Sequence, residues 1–177
     1  MVRTRVGYAG GKKENPTYHQ IGDHTETLQV VYDPRVVSYE ELLEIYWNSH
    51  DPFRQIMSRQ YMNLIFVHNE EQERLAQESK ALLAQKKDDA IYTNIISSFK
   101  FYPAEDYHQK YYLQNVPALM EEFKNFYPDF QDMVDSTAAA RVNGYIGGFG
   151  NAASLSREIE DLGLSDDGAK LLRKMVN

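Results

Sequence analysis

The sequence predicts an α/β or α+β fold with a helical carboxyl-terminal part. Apolar and polar residues alternate with period two at several places before residue 105, which indicates strands, and apolar residues three and four positions apart indicate helices. The resulting order is strand, strand, helix, strand, helix, strand, followed by helices alone. We find no internal repeat or low-complexity linker, and therefore predict one domain at residues 1–116 and a helical extension at 117–177.

The first two strands are predicted at residues 2–8 and 25–32, where side chains of the two kinds alternate. Gly10 and Gly11 end the first strand, because glycine accepts the backbone angles of a tight turn. Residues 12–23 then form a loop.

Two helices are predicted from their amino-terminal caps. Ser38 is followed three residues later by Glu41, which is a capping box, and Asn69 stands in the same relation to Gln72. Mostly apolar segments predict further strands, at residues 61–68 before the second helix and 91–102 after it. Later helices are predicted at 103–113, 117–126, 130–143 and 155–175, and the glycine-rich segment 144–150 as a mobile tail or a lid.

Composition excludes several classes of function. The formal net charge of -7 argues against nucleic acid or an anionic membrane as the main partner. No apolar run approaches the ~20 residues of a membrane span and no signal peptide is evident, so a cytoplasmic location is expected. The sequence contains no cysteine, which excludes disulfides, thiolate metal sites and a thiol nucleophile within it. The five histidines form no known metal-binding spacing, and we expect neither a metal nor a cofactor, although His19 and His24 could approach each other.

Glu26 is the first candidate catalytic residue. It begins a strand face that continues with Leu28, Val30 and Tyr32. A covered carboxyl group in such surroundings resists ionisation and can donate a proton at neutral pH, as a general acid does. The alternative is that Glu26 lies at the strand edge in water.

Several short motifs together resemble one family. They are VGYAGG, NPTY, GDHTE running into VVYDP, SYEELL, HDP, QY and FYPAEDYHQKY, and they follow one another between residues 2 and 113. In this combination and order they resemble the peptide methionine sulfoxide reductase A family. The resemblance implies a ferredoxin-like mixed sheet with flanking helices, an α+β sandwich, to which the helical extension would be added.

The resemblance also implies an activity and its residues. The family reduces methionine-S-sulfoxide, free or in proteins: a cysteine attacks the sulfur, and a reductant such as thioredoxin eventually restores the enzyme. Glu26 falls on the position of the family's acid, and Tyr18 and Tyr61 fall on two hydroxyl groups that hold the sulfoxide oxygen.

Two features depart from the family pattern. The family's Gly-Cys-Phe-Trp motif, with its nucleophile and the strand and helix around it, is absent, and the loop between Asp51 and Tyr61 lacks the usual acidic residue. We therefore expect a reductase truncated at Met1, or one whose selenocysteine codon was read as a stop. The alternative is a module that binds methionine or its sulfoxide, or another protein, without catalysis.

Overall fold

The computed structural model describes residues 2–176 and contains both strands and helices. The strands are Arg3–Ala9 (β1), Thr25–Val31 (β2), Leu64–Phe66 (β3), Asn94–Ile96 (β4) and Tyr102–Pro103 (β5). The α-helices in this part of the chain are Tyr39–Asn48 (α1), Glu70–Lys87 (α2), Tyr111–Gln114 (α3), Pro117–Phe126 (α4), Phe130–Asp135 (α5), Thr137–Ile146 (α6), Ala152–Glu158 (α7) and Asp166–Met175 (α8). Turns of 3-10 helix lie at Arg59–Tyr61, Asp106–His108 and Ile159–Leu162. The predicted α/β class is confirmed.

The strands form two small sheets. One has the order β2-β1-β5, in which β1 and β5 are antiparallel and Tyr8 lies opposite Tyr102. The other pairs β3 with β4 in parallel, with Ile65 opposite Ile95. The predicted strand at 61–68 is shorter than expected because its first residue belongs to the 3-10 turn Arg59–Tyr61. The predicted strand at 91–102 is divided between the two sheets, as β4 and β5.

The described chain forms two compact units. The first comprises residues 2–6, 28–31 and 105–176, and the second comprises 7–27 and 32–104. The boundary of a helical extension at residue 117 stays a prediction.

The second unit contains the first two helices and a small core. Both predicted caps are present: Ser38 and Glu41 form the capping box of α1, and the Asn69 side chain accepts a hydrogen bond from Gln72 N. Leu43, Ile65, Val67 and Ala76 form the buried cluster between these elements.

The first unit is mainly helical, and two of its helices are shorter than the sequence predicts. The helix predicted at 130–143 is interrupted at Ser136, whose side chain accepts a hydrogen bond from Ala139 N and begins α6. The helix predicted at 155–175 is interrupted at Gly163, where φ is +70°. The core consists of apolar side chains from all five last helices, among them Leu119, Phe123, Met133, Val142, Leu155 and Leu172.

Two further expectations for the first unit need correction. The helix predicted at 103–113 begins only at Asp106, since Pro103 belongs to β5. It is also divided, because Lys110 adopts a positive φ of 48° between the 3-10 turn and α3. The predicted tail or lid at 144–150 instead begins inside α6, and Phe149 N donates to the carbonyl oxygen of Gly144 at 2.9 Å. Among residues 2–176, no helix combines the length and the apolar character needed to cross a membrane.

Candidate functional site

The loop between β1 and β2 carries Tyr18 and is fixed at its base by buried His24. The Nδ1 atom of His24 accepts from Gly11 N at 3.2 Å, and its Nε2 atom lies 2.8 Å from the carbonyl oxygen of Lys13. These two bonds require the neutral ring with its proton on Nε2, since a carbonyl can only accept. Both nitrogens of His24 are therefore occupied by the backbone.

Asp23 adds a second attachment at the base of the same loop. Its carboxylate accepts from Lys12 N at 2.9 Å and from Lys13 N at 3.1 Å. These backbone donors lower the pKa of Asp23 because they favour its charged form, and the bond from Lys12 N has the largest effect. At the tip, Gln20 N donates to the carbonyl oxygen of Thr17 at 3.0 Å, which closes a turn around Tyr18.

Strand β2 presents Glu26 on its exposed face. Thr25 is buried on the opposite face, as the predicted alternation requires. Leu28, which shares the face of Glu26, is 60% exposed, so the expected apolar cover over the carboxyl group is not present within the described chain. Within the described chain the Glu26 side chain is exposed, and its part as the acid that the resemblance implies stays a prediction.

Tyr61 ends the 3-10 turn and lies near both other candidate residues. Partial desolvation raises the pKa of Tyr61, and so do the negative charge of Glu26 and a hydrogen bond with the Tyr18 side chain. The three residues predicted from the sequence thus lie together in the second unit, although they are up to 43 positions apart, from Tyr18 to Tyr61. Tyr61 is 55% exposed, so the cluster is open to solvent.

Gln60 is a member of this cluster that the sequence analysis did not identify. Its Nε2 atom donates to Oε1 of Glu26 at 2.6 Å. The QY motif contains this residue, but the motif pointed only to the tyrosine. An amide beside a candidate acid would have been the signal to examine.

Arg59 was also missed. Its Nε atom donates to the carbonyl oxygen of Asp23 at 2.8 Å, and its Nη2 atom donates to that of Gly10 at 2.7 Å. The sequence contains no sign of this role, because the partners of Arg59 are backbone carbonyl groups, which every residue type has.

The site offers hydrogen-bond donors more readily than metal ligands. Within residues 2–176, no group of three or more histidine, aspartate or glutamate side chains is placed to hold a metal ion. His24 is bonded to the backbone, and the His19 ring packs edge-on against Tyr18, with centroids 5.4 Å apart. Two phenol hydroxyls can donate hydrogen bonds to a ligand oxygen atom that carries partial negative charge. A neighbouring carboxyl group, when protonated, can transfer a proton to that oxygen.

Two protein-family models match this chain. The family model described as peptide methionine sulfoxide reductase matches residues 1–140, and the model described as the helical domain of selenoprotein methionine sulfoxide reductase A matches residues 130–177. The chain belongs to the peptide methionine sulfoxide reductase family, as the resemblance of its motifs predicted.

Individual relatives agree with the family models. A peptide methionine sulfoxide reductase of Drosophila melanogaster is 42% identical over 167 residues, 93% of this chain and 67% of that protein. Peptide methionine sulfoxide reductase A5 of Oryza sativa subsp. japonica is 41% identical over 82% of this chain and 59% of that protein. The structure of methionine sulfoxide reductase A of Corynebacterium diphtheriae matches with a TM-score of 0.52 and 32% identity, over 64% of this chain and 63% of that one. The chain thus spans between about three fifths and two thirds of these relatives.

Proposed function

We propose that this chain binds methionine-S-sulfoxide and is part of an enzyme that reduces it to methionine. The observation that carries the proposal is the convergence of Tyr18, Glu26 and Tyr61, three residues from separate segments of the second unit. The family membership of the chain and the names of its relatives support this choice of substrate.

Each member of the cluster has a part in the proposed reaction. The hydroxyl groups of Tyr18 and Tyr61 donate hydrogen bonds to the sulfoxide oxygen, which carries partial negative charge. As a nucleophile attacks the sulfur and the sulfur–oxygen bond breaks, that oxygen must gain a proton, and Glu26 donates it. Two electrons from thiols or selenols reduce the sulfur to a thioether, and the oxygen finally leaves as water.

The nucleophile of the proposed reaction comes from outside these 177 residues, because the sequence contains no cysteine. A thiol or a selenol could fill this role, and the match to the helical domain of a selenoprotein supports the selenol. We propose that the part of the enzyme that supplies the nucleophile also covers Glu26. The Glu26 carboxyl group must be shielded from solvent before it can hold a proton at neutral pH. The chain alone is therefore expected to bind the substrate without turning it over.

Other features of the proposed function follow from the family resemblance. A thioredoxin-type protein is the proposed reductant for the complete enzyme. Free and protein-bound methionine sulfoxide both remain candidate substrates, and a cytoplasmic location stays a prediction from the sequence. The alternative of a non-catalytic interaction module is not favoured, since the relatives named above are reductases.

Calorimetric titration tests the proposal. The purified chain is titrated with the S and the R epimers of N-acetylmethionine sulfoxide amide. We expect heat of binding for the S epimer only, and loss of most of that heat in Tyr61→Phe, which removes a hydroxyl donor to the sulfoxide oxygen. Tyr92→Phe is the matched control, because Tyr92 is another exposed tyrosine of the same unit.

Two results would contradict the proposal. Equal heats for the two epimers would remove the stereochemical basis of the assignment. Reduction of the S-sulfoxide by the purified 177-residue chain with dithiothreitol, faster than by dithiothreitol alone, would contradict the expectation that the chain binds the substrate without turning it over.

A further inference from the structure

Arg59 connects the turn that carries Tyr61 to both ends of the loop that carries Tyr18. The two carbonyl groups that its guanidinium contacts belong to Gly10, where β1 has ended, and to Asp23, just before β2. A third contact joins Nη1 to the sulfur atom of Met62 at 3.5 Å. One planar side chain thus meets three segments of the second unit.

The backbone of Arg59 is fixed as well. Its carbonyl oxygen accepts a hydrogen bond of 2.7 Å from Oγ1 of Thr25, which is buried and directly precedes Glu26. Arg59 is therefore bonded in both directions, through its side chain to the Tyr18 loop and through its carbonyl group to the strand that carries Glu26.

Gly10 is closely packed against the side chains of Phe66 and Arg59. Gly10 has a φ of +83°, and a Cβ atom there would lie 3.0 Å from the Phe66 ring and 3.4 Å from Nη2 of Arg59. The carbonyl group that receives Arg59 is thus held in a conformation that side-chain-bearing residues rarely adopt.

The turn that Arg59 begins places the next two residues at the site. Gln60 donates to Glu26, and Tyr61 lies against Tyr18. Both contacts depend on the direction of a turn of three residues. In that turn Tyr61 N donates to the carbonyl oxygen of Ser58 at 3.1 Å, and Met62 N donates to that of Arg59 at 3.5 Å. A short 3-10 turn provides little stability of its own, so its direction depends on the contacts that Arg59 makes.

We propose that Arg59 is a positioning residue that sets the Arg59–Tyr61 turn against the Gly10 and Asp23 carbonyls, so that Tyr61 and Gln60 meet Tyr18 and Glu26. Only its consequence for substrate binding rests on the proposed function. Arginine suits this position because its guanidinium offers several donors in one rigid plane, whereas a lysine ammonium is a single point at the end of a flexible chain.

NMR titration of the Tyr61 phenol provides a measurement that a general loss of stability would not move. The chain is labelled with [13Cζ]tyrosine, and the Tyr61 signal is assigned with Tyr61→Phe. In Arg59→Gln we expect the Tyr61 pKa to fall toward the ordinary 10.0, because the turn no longer holds Tyr61 near Glu26 and Tyr18. Arg59→Lys keeps the charge and three donors but not the rigid plane that spans the two carbonyl groups, and should give an intermediate value.

Arg54→Gln is the matched control, since Arg54 is an exposed arginine on the same loop, and its Tyr61 titration should equal that of the wild type. A wild-type Tyr61 titration in a folded Arg59→Gln chain would overturn the proposal. If Arg59→Gln does not fold, the comparison is made with Arg59→Lys, and a wild-type titration there would overturn it equally.

A second measurement separates this proposal from the proposed function. Binding of the S-sulfoxide amide should weaken roughly tenfold in Arg59→Gln, the effect of one or two lost hydrogen bonds, and should not change in Arg54→Gln. If the wild type binds neither epimer, the proposed function fails, while the Tyr61 titration still decides the role of Arg59.

Discussion

Gln60 donates a hydrogen bond of 2.6 Å to the carboxylate of Glu26. The bond joins the residue proposed to donate the proton to the turn that carries Tyr61. It fixes the direction of a side chain that would otherwise be free in water, since Glu26 is exposed. The acid is thus held by the same short segment, Arg59–Tyr61, that carries the Tyr61 hydroxyl.

Removal of the Gln60 amide tests the value of this bond. In Gln60→Leu the turn that carries Tyr61 loses its hydrogen bond to strand β2, so Tyr61 is held less firmly and we expect S-sulfoxide binding to weaken by a factor of roughly three to ten. Calorimetry gives the dissociation constants. Gln55→Leu is the control, because Gln55 is an exposed glutamine on the same loop; equal affinities in the two variants would contradict the role given to Gln60.

Tyr18 and Tyr61 should report on each other. The hydrogen bond with Tyr18 raises the pKa of Tyr61, so Tyr18→Phe should lower it. The wild-type Tyr61 hydroxyl should accordingly remain protonated, and able to donate, up to a higher pH than an ordinary tyrosine. The measurement is the [13Cζ]tyrosine titration; Tyr92→Phe, which changes another exposed tyrosine of the same unit, is the control. An unchanged Tyr61 pKa in Tyr18→Phe would show that the two rings do not interact.

Lys110 makes the stability of the first unit depend on pH. Burial lowers its pKa to about 8 because it disfavours the charged ammonium group, which donates to the carbonyl oxygen of Thr4 at 2.6 Å. The unfolded chain, in which lysine titrates near ~10.4, binds more protons between these two values than the folded chain does. The contribution of Lys110 to the free energy of unfolding must therefore increase as the pH rises through this interval.

The predicted size of this effect is measurable by urea unfolding. The difference in unfolding free energy between the wild type and Lys110→Met should increase by on the order of 1–2 kcal/mol between about pH 7.5 and about pH 9.5. The difference between the wild type and Lys170→Met should stay constant, since the Lys170 side chain is 66% exposed. A constant difference for Lys110→Met would mean that its ammonium group is not held in a buried site.

Ser136 should stabilise the helical unit through its cap. Its Oγ atom accepts from Ala139 N at 3.0 Å at the point where α5 ends and α6 begins. Ser136→Ala should lower the free energy of unfolding by about 1 kcal/mol. In Ser156→Ala the loss should be smaller, because that exposed hydroxyl only donates back to the carbonyl oxygen of Ala152. Equal losses in thermal or chemical unfolding would argue against the cap.

The sequence predicted those parts of the fold that depend on local pattern. The alternation in Thr25–Val31 and the cap at Ser38 involve neighbours within a few residues, and both predictions are confirmed. The breaks at Ser136 and Gly163 were missed, because the apolar spacing was followed through them although serine often begins a helix and glycine often ends one.

The site was predictable only in part, and for a physical reason. Tyr18, Glu26 and Tyr61 were found through motifs, and the structure brings them together. Arg59 acts through carbonyl groups of Gly10 and Asp23 that every residue type possesses, so no pattern in the sequence could mark its partners. Whether Glu26 is covered could not be predicted, because alternation states which residues share a face and not what lies over that face.

The most direct test of the central claim is the NMR spectrum of the [13Cζ]tyrosine-labelled chain during titration with the S-sulfoxide amide. If the phenols of Tyr18 and Tyr61 bind the sulfoxide oxygen, their two signals should shift together with one dissociation constant, and the R epimer should move neither. A saturable shift confined to other tyrosines, with Tyr18 and Tyr61 unmoved by the S epimer, would contradict the claim.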